Sequence, residues 1–172
     1  MSTTFTPGTQ SMTTPPTATW FDPEAVLRDL GISLPEAPKP VAAYIPFRRS
    51  GNLVYVSGQI PMRDGALMAK GAVPAEVSVE DARLCAERCV INALAVVKAA
   101  VGSLAAVRQI VRVGVFVCSS PGFTDQPKVA NGASELLVKV FGERGQHARA
   151  AVGSIALPLG APVEVELLVE VG

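Results

Sequence analysis

A single arginine stands at the head of a run that reaches Leu157 without another charge: residues 148–171 read ARAAVGSIALPLGAPVEVELLVEV. Taken as a strand, the run puts Arg149 on one face with Ala151, Gly153, Ile155 and Leu157. A guanidinium over such a floor is costly to leave unpaired, so it calls for an anion. Residues 159–162 read as a turn into residues 163–171. The alternation there sends Val163, Val165, Leu167, Val169 and Val171 to one face and Glu164, Glu166 and Glu170 to the other. Two arrangements satisfy the arginine: a cross-strand ion pair with a glutamate, or an anion from outside the strand pair. Spacing alone leaves both open.

The remaining polar candidates have bland readings beside functional ones. His147, the only histidine, shares a face with Arg149 and is either a ligand contact or a surface residue near a strand start. Glu166 can pair with Arg149 or Arg112, and Arg112 itself reads as an ion-pair or interface residue. Cys85 and Cys89 are spaced i,i+4 on a helical pattern and Cys118 ends an apolar strand, which makes all three small core residues. One histidine and scattered thiols supply no metal-ligand set.

The elements that must position these residues follow from local pattern. Residues 1–19 carry no charged side chain and are rich in Ser, Thr, Pro and Gly, the composition of a disordered tail. Residues 20–40 hold a short helix and a proline-rich connector, with Asp22 as N-cap, Pro23 at the first helical position and Gly31 as the stop. The domain proper spans 41–172. Residues 41–49 and 53–57 form a hairpin about a Gly51-Asn52 turn, which empties into an irregular loop over 62–74. Ser78 opens a helix to about Ala100, burying Ala82, Cys85, Cys89, Ala93, Val96 and Ala100 and leaving Arg83, Glu87 and Lys98 in water. Residues 109–118 are a central strand with Val111, Val113, Val115 and Val117 on one face. Asp125 caps a second helix over 126–141, with Val129, Ala133, Leu136, Leu137 and Val140 inward. The order is β-β-α-β-α-β-β, two helices against one sheet.

Composition bounds the function. A net charge of zero, a pI near 6.6 and 5% aromatic residues give no electrostatic or stacking case for nucleic acid or an anionic membrane. A hydrophobic content of 49% and mean hydropathy of +0.35 are high, yet no apolar run is long enough to span a bilayer. The excess points to a subunit interface. The N-terminus lacks the basic and apolar regions of a secretory signal, so the cytoplasm is the expected compartment.

Five signals occur in order: Tyr44 before the Gly51-Asn52 turn, Ser57-Gly58-Gln59-Ile60-Pro61, a helix containing Asn131, Arg149 eight residues before Leu157-Pro158, and Val163-Glu164-Val165-Glu166. Together they resemble the RidA/YjgF family of imine deaminases, also known as endoribonuclease L-PSP, over residues 41–171. The tail, Leu30-Gly-Ile-Ser-Leu-Pro35 and Arg149-Ala-Ala-Val-Gly153 are similar to a branch with an extra N-terminal helix. The resemblance implies a chorismate-mutase-like α+β fold with one mixed sheet and two helices on one face, assembled as a homotrimer with pockets at the interfaces. It implies that Arg149 grips a substrate carboxylate and Glu164 handles a water, while Tyr44, Ser57, Gly58, Asn131 and Ala151 line the pocket. Ala151 stands where the best-known deaminases have a cysteine. The implied reaction hydrolyses a 2-imino acid, or its enamine, to a 2-oxo acid and ammonia without metal or organic cofactor. The competing readings are a non-catalytic carboxylate-binding protein and, from the family's ribonuclease label, RNA cleavage.

Overall fold

A computed structural model describes residues 22–38 and 44–172. The expected tail at 1–19, the start of the first helix at 20–21 and the start of the first strand at 41–43 lie outside the described residues. The chain forms helix α1 (Pro23–Asp29), strands β1 (Phe47–Ser50), β2 (Leu53–Gln59), β3 (Met62–Arg63) and β4 (Ala66–Leu67), helix α2 (Val79–Val101), strand β5 (Val107–Cys118), helix α3 (Gln126–Phe141), and strands β6 (Ala148–Ser154) and β7 (Val163–Val171). Five strands make one mixed sheet in the order β1-β2-β7-β5-β6, with α2 over β2 and β7 and α3 over β5 and β6.

That order overturns one expectation. The last two strands are not a hairpin: β5 lies between them, antiparallel to β7 and parallel to β6. The chain leaving β6 at Ser154 crosses over β5 before re-entering the sheet, passing a turn in which Leu159 takes a φ of 59°. The strand stops at Ser154 rather than running to Leu157, and Ile155 is 97% exposed. Arg149 therefore stands opposite Val113, on an outer strand, instead of across from a glutamate.

The predicted faces of β5 also shift. Register breaks between Val107 and Gln109 and between Ile110 and Arg112 insert extra residues, so Val107, Ile110, Val113, Val115 and Val117 are all fully buried while Val111 is not. A strict two-residue period cannot show a bulge. The 62–74 segment is less irregular than its composition suggests, because β3 and β4 pair about Asp64-Gly65, both at positive φ.

Helix α2 has the expected Ser78 cap, whose hydroxyl accepts from the Asp81 amide at 3.0 Å. Its middle is buried nearly all round, from Cys89 to Val97, because it packs on the sheet and, along its flank, against α3. Arg83 is not free in water: it bridges Glu80 and Glu135 of α3. Asp125 occupies the N-cap position of α3 but makes no side-chain cap bond, engaging Lys128 instead at 2.8 Å. Cys85, Cys89 and Cys118 are buried free thiols, and burial pushes Cys85 up to about 11, so they are inert packing residues.

Helix α1 is fixed to this body through Glu24. Its carboxylate accepts from the Leu104 amide at 3.0 Å and the Ser103 hydroxyl at 3.2 Å, and it pairs with Lys98 at 3.1 Å. Leu27, one turn on, is 2% exposed in the core.

Candidate functional site

The open face of the sheet carries the carboxylates. Because Val163, Val165 and Leu167 face the helices, Glu164 and Glu166 project from the other side of β7. Glu166 pairs with Arg112 of β5 at 2.6 Å, the ion pair its spacing allowed. Glu164 has no hydrogen bond or ion pair among the described residues. Partial burial raises its pKa above the ordinary carboxylate range, and the charge of Glu166 adds to the effect.

Gly58 explains where Glu164 sits. A Cβ at that position would lie 1.7 Å from Glu164 Oε1 and 2.7 Å from its Cδ, so the carboxylate rests on bare backbone in the bulge between β2 and β7. The two residues share a cavity of about 560 Å³ with Tyr44, Gln59, Ile60 and Pro158. Its far wall comes from Arg88 and Asn92 of α2, the Asp64-Gly65 turn, and the connector residues Pro35, Glu36 and Pro38. Arg88 Nε and Asn92 Nδ2 both donate to the Met62 carbonyl, at 2.7 and 3.1 Å, and so fix the loop that closes this wall. Ser57 is not in this cavity; its hydroxyl donates to the Ile45 carbonyl at 2.9 Å beside a neighbouring hollow.

Arg149 lies elsewhere. Its neighbour Val113 faces the core, which puts the arginine on the helix-bearing side of the sheet, against α3. Nη1 donates to Asn131 Oδ1 at 2.9 Å and to Ser134 Oγ at 3.1 Å. Nε and Nη2 have no partner among the described residues, which leaves one edge of the fork open to a planar carboxylate. Ala151, two residues along, is half-buried against the core. His147 is half-buried too, with Nδ1 2.6 Å from the Gly145 carbonyl and Nε2 3.0 Å from Ser134 Oγ.

The expected residues thus form two groups within one protomer: Tyr44, Gly58 and Glu164 around the cavity, and Asn131, Arg149 and Ala151 on the far edge. Sequence reasoning missed Ser134, Arg88 and Asn92. The first had a signal, since Ser134 follows Asn131 at i,i+3 and must share its helix face. Among the described residues, no three His, Cys, Asp or Glu side chains cluster as a metal set would require, and no helix is long and apolar enough to cross a membrane.

A mixed sheet with two helices on one face, an arginine on the outer parallel strand β6 and a half-buried glutamate at the start of β7, with β5 between the two, define an α+β domain of the chorismate-mutase-like class. Residues 24–171 match the YjgF/chorismate mutase-like endoribonuclease family, and the chain belongs to it. Protein TCP17 of Trypanosoma cruzi is 45% identical over 147 residues, 85% of this chain and 92% of that protein. A 2-iminobutanoate/2-iminopropanoate deaminase of Dermatophagoides farinae is 33% identical over 138 residues, 80% of this chain and 93% of its own. The crystal structure of protein Atu1372 of Agrobacterium tumefaciens, of unknown function, superposes with a TM-score of 0.80 at 46% identity, covering 87% of this chain and 91% of that one.

Proposed function

We propose that this protein hydrolyses 2-imino acids to 2-oxo acids and ammonia, in a site completed between copies of the chain. The observation that carries the reading is Glu164: a half-buried carboxylate with no ion-pair partner among the described residues, its pKa raised by desolvation, opening on a cavity of ligand size. A general base needs such a group. Arg149 from an adjacent copy supplies the carboxylate anchor through its open Nε/Nη2 edge. Held there, the C=N carbon meets a water whose proton passes to Glu164 as the oxygen bonds to carbon. The C=N π electrons move onto a protonated nitrogen. Glu164 then returns its proton to that nitrogen, the hydroxyl proton passes to the carboxylate so freed, and ammonia departs as the C–N bond breaks and the C=O forms.

Two features support the assembly. Arg149 and Glu164 occupy opposite faces of the sheet in one protomer, so joining them in a single site takes a second copy. The uncovered face presents Tyr55, 49% exposed, and Val152, 46% exposed, beside Phe116 and Leu168. A closed ring of three identical chains covers that face while bringing each β6 edge to a neighbour's cavity. The relative named as an imine deaminase supports the same chemistry.

The test is ammonia release from an imine generated in situ by an amino-acid oxidase. Acceleration by the purified protein, beyond that of the oxidase alone, supports the reading. Binding of 2-oxo acids with a raised Tm and no turnover would replace it with a carboxylate-binding role.

A further inference from the structure

Arg149 is held by more than its direct partners. The Gly145 carbonyl only accepts, so the ring nitrogen 2.6 Å from it, His147 Nδ1, carries the proton. In the neutral ring Nε2 is then an acceptor, and the Ser134 hydroxyl 3.0 Å away donates to it. That fixes the Ser134 proton and turns its lone pairs toward Arg149 Nη1, which donates at 3.1 Å. The direction of every hydrogen bond from Gly145 to Arg149 is therefore determined. Burial, together with the Arg149 charge, lowers the His147 pKa and keeps the ring neutral, as the chain of donors requires.

We propose that Ser134 and His147 are positioning residues for Arg149: they clamp Nη1 against α3 so that the free Nε/Nη2 edge stays aimed at the ligand's carboxylate. The inference rests on the reading of Arg149 as the anchor. Neither residue touches the reacting atoms. Their effect is preorganisation of an exposed, flexible side chain, whose wandering would dilute its productive geometry.

The test compares Ser134→Ala, His147→Phe and His147→Gln in the full chain. An anchor gripping ground state and transition state alike changes KM with little change in kcat. Ser134→Ala and His147→Phe should each raise KM for the imine, and Kd for a 2-oxo acid, by about 10- to 100-fold. The double variant should be no worse than either single one, because both break the same chain. His147→Gln, whose Oε1 offers an acceptor near the Nε2 position, should restore most of the loss.

A readout independent of catalysis is the ¹⁵N relaxation of Arg149 Nε, with the His147 tautomer read from its ring ¹⁵N shifts. An ordered Arg149 that loosens in Ser134→Ala, beside an Nδ1–H tautomer in the wild type, supports the clamp. An Arg149 equally ordered in both, or an Nε2–H tautomer, overturns it. If the wild type neither binds 2-oxo acids nor turns over imines, the proposed function fails, and the relaxation result still decides the clamp.

Discussion

At the scale of single residues, the glutamate is placed by what Gly58 lacks. Adding a methyl group there would push the Glu164 carboxylate out of the cavity. Since the far end of a flexible side chain can yield, the cost falls on position rather than on folding. Gly58→Ala is expected to lower kcat about 100-fold with Tm nearly unchanged, as steady-state rates and calorimetry would report. The pH profile tests the same residue. Glu164 must be ionised to take a proton from water, so kcat/KM should fall as pH drops through its raised pKa, giving an acid limb above the ordinary carboxylate range. Part of that elevation comes from the Glu166 charge. Glu166→Gln should therefore move the acid limb to lower pH, and an unmoved limb would remove Glu164 as the titrating group. The sequence made Arg149, Glu164, Gly58 and Asn131 legible because their motifs are local. Ser134 stayed hidden because its proposed role depends on a histidine thirteen residues away, in the link just ahead of β6.

At the scale of elements, periodicity and capping recovered both long helices and most strand positions. They failed on how the strands neighbour one another. Residues 148–154 and 163–171 look like a hairpin because a turn-rich segment joins them. The short strand is claimed instead by the free edge of β5, where it pairs in parallel. The bulges of β5 were equally invisible, since they are set by the register with β7 and not by the β5 sequence. The N-terminal helix offers a test of how an added element is held. Glu24 makes three charge-assisted contacts, and Glu24→Ala should cost about 1–3 kcal/mol in denaturant unfolding. The acceptor role depresses its folded pKa below the ordinary 4.5, with the Leu104 amide the main cause. The unfolded chain consequently takes up this proton first as pH falls. The contribution is fully present above the unfolded pKa and is lost as pH drops through the folded value. Unfolding of wild type and Glu24→Gln should accordingly converge under acid.

At the scale of the whole molecule, the sheet has helices on one face and, among the described residues, none on the other. The high hydropathy legible in the sequence is partly accounted for by the encased α2, and partly by apolar residues left on the uncovered face. A charge placed there should break an assembly without disturbing the protomer core. Val152→Glu is expected to shift the mass seen by light scattering from trimer to monomer and to abolish activity, while far-UV circular dichroism is retained. The motifs name a constellation, and only the fold reveals that its residues lie in two separate groups within one protomer.

The most direct measurement is complementation between inactive variants. Arg149→Ala keeps Glu164, and Glu164→Gln keeps Arg149; each alone should be inactive at substrate concentrations near the wild-type KM. In a ring whose sites draw one residue from each neighbour, every mixed trimer contains one intact site, so equal co-expression should restore about a quarter of wild-type imine hydrolysis. No recovery in verified mixed trimers, or an Arg149→Ala protein that remains active alone, would contradict the account.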